Sequence, residues 1–461
     1  MPHETDRRRL LGLFGAIPLL SVPACNAANA VEPVEAPTLR QRGDVGDTAA
    51  LARALASGRP VQLPAGGGSG PRGEYIVDML ELPDGATISG EGMGTVLRSS
   101  SARVQSILLV SGAAAQTRNL TLRDMKLVGH ATSDGFREHH NLVSLSGVAD
   151  CLIEGVTFEG FAGDGIYLGG ERDGPVRTPR SNARVTIRDC TFDGINNANR
   201  NAISVTGGTD IVIDDCRFMR CSRPDMPGPI DFEADDFPFY VFDRLTVTNC
   251  SFERCGGNVG QISIVTPPRV RQVPRNIRIA GNRFAGYAGS GSDIALTVGR
   301  PATAAMPDMN VVIENNVGSN GRAGVRLYSG RGITLRNNRW TRYLGQMFVG
   351  YAEARDGCRD VSVADRFEAC GTQDGAAIGI FNADTVSIAG SSFVDCGNGR
   401  ADAACIRLGP GRSSGVAIRG NDFAGSVGRA APIRQTAGHR SSDRILLEPA
   451  SLSILGPGER R

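Results

Sequence analysis

Apolar and polar residues alternate in a short phrase that recurs along the chain. Each copy has two branched apolar residues one apart, then a small or polar turn, then Phe or Trp. Clear copies are ARVTIRDCTF (183–192), DIVIDDCRF (210–218), RLTVTNCSF (244–252), NIRIAGNRF (276–284), GITLRNNRW (332–340), TVSIAGSSF (385–393) and GVAIRGNDF (415–423). Aromatic residues at positions 158, 192, 218, 252 and 284 are 34, 26, 34 and 32 residues apart, which indicates a structural repeat.

Alternation within each copy predicts a short strand with one inward face. A second apolar strand is predicted after each copy, at 166–168, 203–205, 230–233, 262–265, 294–298, 325–328, 378–380 and 406–408. No amphipathic helix separates these strands. The pattern therefore predicts an all-β fold, a right-handed parallel β-helix of about eleven coils.

The cysteines follow the same repeat. Cys190, Cys216 and Cys250 each stand two residues before the anchoring aromatic, where other copies have Asn282 or Asn338. Equivalent positions of stacked coils form ladders, so we expect buried free thiols that act as small apolar fillers. A disulfide framework is the alternative, because the chain has the features of an exported protein.

Four segments are expected along the chain. Residues 1–30 resemble a signal peptide of the twin-arginine type, with Arg7-Arg8 before an apolar run. Val22-Pro23-Ala24-Cys25 also resembles a lipoprotein box, so Cys25 is a candidate lipid anchor, and the expected location is periplasmic or secreted. An N-terminal cap with a capped helix at 47–55 and the first coils follows over 31–104, then the β-helix over 105–425 and a C-terminal cap or tail over 426–461.

Overall charge excludes one class of partner. Fifty basic and forty-eight acidic residues give a net charge of +2, so the chain lacks the electrostatic footprint of nucleic-acid binding.

The repeat over roughly 105–425 resembles the pectate-lyase-like superfamily of right-handed β-helix proteins. GDTAALARALASGRPVQLPAG, followed by LPDGATISGEGMGTVL, is similar to the first coil of many secreted members. The resemblance implies a polysaccharide or oligosaccharide in a groove on the outer face of one sheet. The catalytic residues of these families cannot be assigned to positions in this chain. Asp235-Asp236 is the only match to the polygalacturonase motifs, and the Asp-Pro-His-Asp motif of alginate epimerases is absent.

Candidate site residues follow from the second strands, whose outward side chains form a surface column. Asp231 and Glu233 are two residues apart on one strand, a separation of about 7 Å that suits an acid and a base in glycoside hydrolysis with inversion. Tyr167 and Arg200 would contact the sugar from earlier coils. The remaining candidate substrate-binding residues are Asp164, Asn201, His139, Gln261, Asp293 and Arg326.

Other functions remain open at the level of sequence. Asp231, Glu233, Asp235 and Asp236 are also consistent with a Ca²⁺ site or a solvated surface. His140 could abstract a proton next to a uronate carboxylate, with Arg200 neutralising that carboxylate and Tyr167 protonating the leaving oxygen, which is the chemistry of a polysaccharide lyase. A glycan-binding protein or adhesin without catalysis is the third alternative. We favour a glycoside hydrolase.

Overall fold

The computed structural model describes residues 32–111, 116–170, 180–287, 289–300, 302–303, 305–351, 357–397, 402–426, 431–437, 439–441 and 446–447. The predicted signal segment and Cys25 lie outside the described residues. The strands and helices of the fold all belong to one compact unit, Pro33–Arg461. No helix in the described ranges has the length and apolarity needed to cross a bilayer.

Two long parallel sheets wind around one core. The 28-stranded back sheet consists of β1 Val34–Glu35, β2 Val61–Gln62, β3 Tyr75–Ile76, β5 Thr87–Ser89, β6 Val96–Arg98, β8 Arg118–Arg123, β9 Lys126–Val128, β11 Ala149–Glu154, β12 Thr157–Glu159, β14 Asn182–Arg188, β15 Thr191–Asp193, β17 Gly208–Asp214, β18 Arg217–Met219, β20 Phe242–Thr248, β21 Ser251–Cys255, β23 Arg275–Ala280, β24 Arg283–Tyr287, β26 Val311–Glu314, β27 Val317–Ser319, β29 Gly330–Thr341, β31 Cys358–Glu368, β33 Ala383–Ala389, β34 Ser392–Val394, β36 Gly411–Ser414, β37 Ala417–Arg419, β38 Asp422–Gly425, β40 His439–Ser441 and β41 Leu446–Leu447. The 13-stranded front sheet consists of β4 Leu80–Glu81, β7 Ser106–Val110, β10 Asn141–Ser146, β13 Ile166–Gly169, β16 Ile203–Val205, β19 Ile230–Glu233, β22 Gly260–Thr266, β25 Ser292–Val298, β28 Val325–Leu327, β30 Met347–Val349, β32 Ala376–Ile380, β35 Ala404–Leu408 and β39 Ala431–Gln435.

The helices of the described residues are few and short. They are α1 Thr48–Ala56, α2 Ala131–Asp134 and the 3₁₀ turns Ala36–Leu39 and Gly92–Gly94. α1 confirms the predicted N-terminal helix, but Asp47 does not cap it through its side chain. The buried carboxylate of Asp47 instead accepts hydrogen bonds from the backbone amides of Ser69 and Ile76, so it connects the helix to the first coils.

The recurring aromatic residues stack inside the solenoid as their spacing predicts. Phe158, Phe192, Phe218, Phe252 and Phe284 form one column, with neighbouring ring centroids 4.7, 5.1, 4.7 and 4.8 Å apart. All five rings are buried. The stacking distance equals the separation of neighbouring parallel strands, so each coil adds one ring to the core.

A second interior column begins with cysteine and continues with asparagine. The ten cysteines after Cys25 are buried free thiols, which agrees with the apolar-filler interpretation. In the following coils, Asn282 Nδ2 donates to Asn316 Oδ1 over 3.0 Å, and Asn316 Nδ2 donates to Asn338 Oδ1 over 2.9 Å. One position of the repeat thus carries either a thiol or a hydrogen-bonded amide.

Candidate active site

An open groove of about 840 Å³ lies on the outer face of the front sheet, over β7 to β19. Its charged lining residues are Glu138, His139, Asp164, Arg200, Asp231, Glu233, Asp235 and Asp236. Tyr167, Asn141, Ser144 and Ser204 also line it. A volume of this size accommodates a small oligosaccharide segment or a drug-sized ligand.

Strand register builds the centre of the groove. Tyr167 pairs with Ser204, Ser204 with Asp231, and Asp231 with Ser263 on four successive front strands. The flanking residues, such as Ile203 and Ile230, are fully buried in the core. Since side chains alternate along a strand, the four polar groups form one outward column, as the sequence predicted.

Asp231 is enclosed on the floor of this groove. It is only 2% exposed, and Ser263 Oγ donates a 2.6 Å hydrogen bond to its Oδ1. Burial and then the nearby charge of Glu233 raise the pKa of Asp231 to about 7, against the opposing effects of Ser263 and Arg200. A carboxyl group in this environment holds a proton near neutral pH.

Glu233 shares the strand but not the environment. It is two residues further along β19, is exposed, and also lines the groove. The rise of a strand places the two residues about 7 Å apart on the same face. A carboxyl group with a raised pKa and a solvated carboxyl group therefore face the same space, an arrangement compatible with acid–base hydrolysis.

Arg200 is held by Asp164 rather than left available in the groove. Its Nη1 donates to both carboxylate oxygens of Asp164, over 2.9 and 2.8 Å, and to Ser204 Oγ over 3.2 Å. The side chain of Asp164 is 1% exposed, whereas that of Arg200 is 23% exposed. Asp164 was predicted to bind substrate, but its carboxylate is occupied by this ion pair. Only Arg200 offers part of its surface to a ligand.

The two neighbouring histidines point to different places. His139 lines the groove, but His140 lines a separate cavity of about 20 Å³ together with His130. Burial, followed by the charge of Arg137, lowers the pKa of His140. His140 therefore does not line the groove in which it was predicted to act as a base, because a turn at Glu138 and His139, closed by the His140 amide donating to the Arg137 carbonyl over 3.0 Å, separates the directions of the two rings.

Three further predicted ligands lie in the protein rather than in the groove. Asn201 and Gln261 are fully buried, and Gln261 Nε2 donates to Asp293 Oδ1 over 2.7 Å. Asp293 also accepts a hydrogen bond from the buried Tyr343 hydroxyl, and burial raises its pKa to about 7. Because the chain bends as it approaches β16, β22 and β25, residues before the strand centre do not continue the outward column. None of the three lines the groove, so its geometry does not support their predicted contact with substrate.

Arg326 belongs to the outward column, but three strands beyond Asp231. Its register partner is Ala295, its Nη1 donates to the carbonyl of Ser290 over 2.9 Å, and its guanidinium lies 5.7 Å from the ring centroid of Phe348. It is not among the residues around the groove. Its outward orientation was predicted correctly, but the structure does not bring it to the site.

The acidic run does not form a metal centre. Within the described ranges, no three His, Cys, Asp or Glu side chains converge in a way that could hold a metal ion. Asp235 accepts a hydrogen bond from the Tyr240 hydroxyl over 3.3 Å, and Asp236 accepts one from the Arg269 amide over 3.3 Å. These two carboxylates form part of one wall of the groove.

Two features near the groove were not predicted from the sequence: the side chain of Glu138 and the exposed rings of Phe237 and Phe239. Glu138 lines the groove beside His139, and only its position next to that histidine could have indicated it. Phe237 and Phe239 follow the acidic run, are 36% and 37% exposed, and have ring centroids 5.7 Å apart. Exposed aromatic faces beside a groove are suited to stacking on a flat apolar ligand surface. The Phe-Pro-Phe sequence was the available signal.

The fold and the groove define a parallel β-helix protein with a concave outer face. The family described as "Right handed beta helix region" matches residues 106–340. The chain belongs to this family, which confirms the handedness and the resemblance to pectate-lyase-like proteins. No curated protein matches the chain.

Solved structures share the fold at low identity. The Dettilon tailspike protein is 14% identical, with 88% of this chain and 70% of that chain covered and a TM-score of 0.51. The Agl-KA catalytic domain is 12% identical, with 90% and 69% covered and a TM-score of 0.51. The A-module of the mannuronan C-5 epimerase AlgE4 of Azotobacter vinelandii is 15% identical, with 89% and 98% covered and a TM-score of 0.43. Likeness at this level shows the fold alone.

Proposed function

We propose that this protein is an enzyme that hydrolyses glycosidic bonds of a polysaccharide lying in the front-sheet groove. The observation that carries the proposal is the buried Asp231, with its pKa raised to about 7, beside the exposed Glu233 on the same strand. An inverting glycoside hydrolase needs one carboxylic acid and one carboxylate separated by space for a water molecule.

In the proposed reaction, Glu233 accepts a proton from water while the water oxygen attacks the anomeric carbon. The bond between that carbon and the leaving oxygen breaks, and Asp231 donates its proton to the leaving oxygen. Glu233 then carries the proton taken from water and Asp231 is ionised, so exchange with solvent restores the starting state. Ser263 would orient Asp231 through its 2.6 Å hydrogen bond.

Charge in the groove supports a substrate without carboxylates. Among the residues that the structure describes, the lining has six acidic side chains, Glu138, Asp164, Asp231, Glu233, Asp235 and Asp236, and one arginine, Arg200, whose charge is shared with Asp164. A polyuronate would be repelled by this surface. We therefore propose a neutral or amino-sugar glycan.

Elimination is the second candidate, favoured by one observation. His139 lines the same groove as Tyr167 and Arg200 and could take the role first given to His140. This route needs a uronate, and the acidic lining weighs against one. A protein that binds glycan without cleaving it is the remaining candidate.

The test is a polysaccharide panel in which reducing ends and the ultraviolet absorbance of unsaturated sugars are followed together. Hydrolysis predicts new reducing ends without unsaturated product, and their loss in Asp231→Asn and in Glu233→Gln. Asp293→Asn is the matched control for the buried carboxyl, and Glu253→Gln, an exposed residue on the back sheet, is the control for Glu233. Unsaturated product abolished by His139→Ala would instead establish elimination, and binding without product would establish a binding protein.

Export is part of the proposal. The Arg7-Arg8 pair and the apolar run after it support translocation to the periplasm or beyond, and Cys25 supports a lipid anchor as one form of the mature protein. Cell fractionation of wild type and of Arg7→Lys/Arg8→Lys tests the first point. Metabolic labelling with a fatty acid, compared with Cys25→Ser, tests the second.

A further inference from the structure

The ion pair on the groove floor lies directly beside the proposed acid. Arg200 precedes β16 and donates to Ser204, and Ser204 is the register partner of Asp231 on the next coil. Neighbouring coils are about 4.8 Å apart, so the guanidinium is close enough to either carboxylate to affect its ionisation. Arg200 bonds to Asp164, one coil back, and Asp231 receives its hydrogen bond from Ser263, one coil forward.

The groups that affect the ionisation of Asp231 lie on three sides of it, and those on two of these sides are charged. Glu233 lies on its own strand, Arg200 and Asp164 lie on the side of the preceding coils, and the uncharged Ser263 lies on the following coil. Arg200 in turn is faced by Asp164, Asp231 and Glu138. Arg200 is therefore surrounded by several carboxyl groups. The carboxyl group with which it pairs affects whether the others are ionised.

We propose that Asp164 is a positioning residue. Its ion pair keeps the Arg200 guanidinium turned toward Asp164 and away from Asp231, and so keeps Asp231 protonated for its role as the acid. The inference rests on the proposed hydrolytic function, but its test does not require turnover.

Two features explain why Arg200 pairs with Asp164 and not with Asp231. Both carboxylate oxygens of Asp164 accept from Nη1, and the Asn201 amide donates to Oδ1 over 3.1 Å. Burial raises the pKa of Asp164, and these contacts with Arg200 and Asn201 oppose that rise and favour its ionised form. Its own charge also disfavours ionisation of Asp231. Loss of the Asp164 charge would remove that repulsion and release the guanidinium toward Asp231, and both changes favour the ionised form of Asp231.

The experiment is an infrared titration of the intact protein. The carbonyl band of protonated Asp231 is identified as the band that Asp231→Asn lacks, and is followed between about pH 5 and pH 9. In Asp164→Asn we expect the midpoint of this band to fall by about one pH unit or more. Arg200→Gln should move it in the opposite direction, because the cation that favours ionisation is removed while Asp164 stays.

Asp193→Asn is the matched control. Asp193 forms the same kind of ion pair with Arg220 on the back sheet, so its substitution should leave the Asp231 midpoint unchanged. A midpoint that is unchanged, or moves in the same direction, in both groove variants overturns the inference. If Asp164→Asn does not fold, Arg200→Gln decides alone: a rise supports the inference, and no change overturns it. If the titration behaves as expected but no glycan is cleaved, the proposed function has failed and the positioning role stands.

Discussion

Asp231 and Glu233 have the same chemical group on the same strand, and the surrounding atoms give them different properties. Asp231 is enclosed by neighbouring coils, and burial is the largest contribution to its raised pKa. Glu233 is at the exposed end of β19. Desolvation disfavours a charge far more in an enclosed position than at the surface, so a regular sheet can provide an acid and a base from two residues of one strand.

The hydrogen bond from Ser263 gives the first prediction at this scale. Ser263 Oγ stabilises the ionised form of Asp231, so Ser263→Ala should raise the pKa of that carboxyl further. The rate then falls at higher pH than in wild type, and we expect the alkaline limb to move up by about one pH unit. The measurement is the initial rate of sugar release against pH.

Ser144→Ala is the control. Ser144 also lines the groove and lies in the same outward column, but it is three strands away from Asp231. Its alkaline limb should match that of wild type. An alkaline limb that stays in place in Ser263→Ala, or moves to lower pH, contradicts the role given to this hydroxyl.

The side-chain orientations that the sequence predicted are found at strand centres. Tyr167, Asp231 and Glu233 have side chains fixed by alternation, because the neighbouring isoleucines must be buried. His140, Gln261 and Asp293 lie where the chain enters a strand, just after a turn in the case of His140 and just after a bend in the other two, and this local geometry decides the direction of each side chain. Sequence alternation carries no information about such bends, so these orientations could not be obtained from it.

At the scale of elements, each coil depends on polar ladders as well as on the aromatic column. Asn316 is fully buried and makes hydrogen bonds in both directions along the solenoid. Its Oδ1 accepts from the amide and the side chain of Asn282, and its Nδ2 donates to the Ile279 carbonyl and to Asn338. Buried amides stabilise a fold only while each of their groups has a partner.

Asn316→Ala should therefore be strongly destabilising. It leaves the buried amide of Asn282 without its partner and removes the side-chain hydrogen bonds to Asn282 and Asn338, and we expect the free energy of unfolding to fall by about 3 kcal/mol or more. Urea denaturation followed by circular dichroism measures it. Asn258→Ala, at an exposed asparagine, should change stability by less than about 0.5 kcal/mol. A loss of similar small size in Asn316→Ala would show that the ladder adds little stability.

At the scale of the whole molecule, the fold was predictable because one unit is repeated. A single short apolar pattern does not identify a fold. When the pattern recurs with an aromatic residue at a fixed place, it indicates stacked coils, since these impose the same environment on each copy. The groove was less predictable. It depends on loops of unequal length between strands, such as the segment that carries Glu138 and His139, and these loops do not follow the repeat.

Four enclosed carboxyl groups among the described residues give the molecule a defined pH dependence. Burial raises the pKa of Asp231 and of Asp293 to about 7 and that of Asp365 to about 6, and it also raises the pKa of Asp164 above its ordinary value. Between that ordinary value and the folded value, the folded state holds protons that the unfolded chain has released. Stability contributed by these groups is therefore present at low pH and is lost as the pH rises through about 6 to 7.

Other groups act in the opposite direction and set the acid limit. The pKa of His140 is lowered by burial, so its contribution is lost as the pH falls below its ordinary value. Ion pairs with arginine lower the pKa of Asp150 and Asp210, and their contribution is lost only in stronger acid. Because the carboxyl groups whose pKa is raised outnumber the one histidine whose pKa is lowered among the described residues, we expect a net loss of stability on going from about pH 5 to about pH 8.

Asp293→Asn should reduce this loss, because an amide can keep hydrogen bonds to Gln261 and Tyr343 without having to remain protonated. We expect wild type to lose a few kcal/mol between about pH 5 and about pH 8, and the variant to lose clearly less. Urea midpoints at four pH values in one buffer series measure both. Asp236→Asn, at an exposed carboxylate, should keep the wild-type slope. Equal slopes in wild type and Asp293→Asn would mean that Asp293 is already ionised in the folded protein, and that its enclosure does not hold the proton.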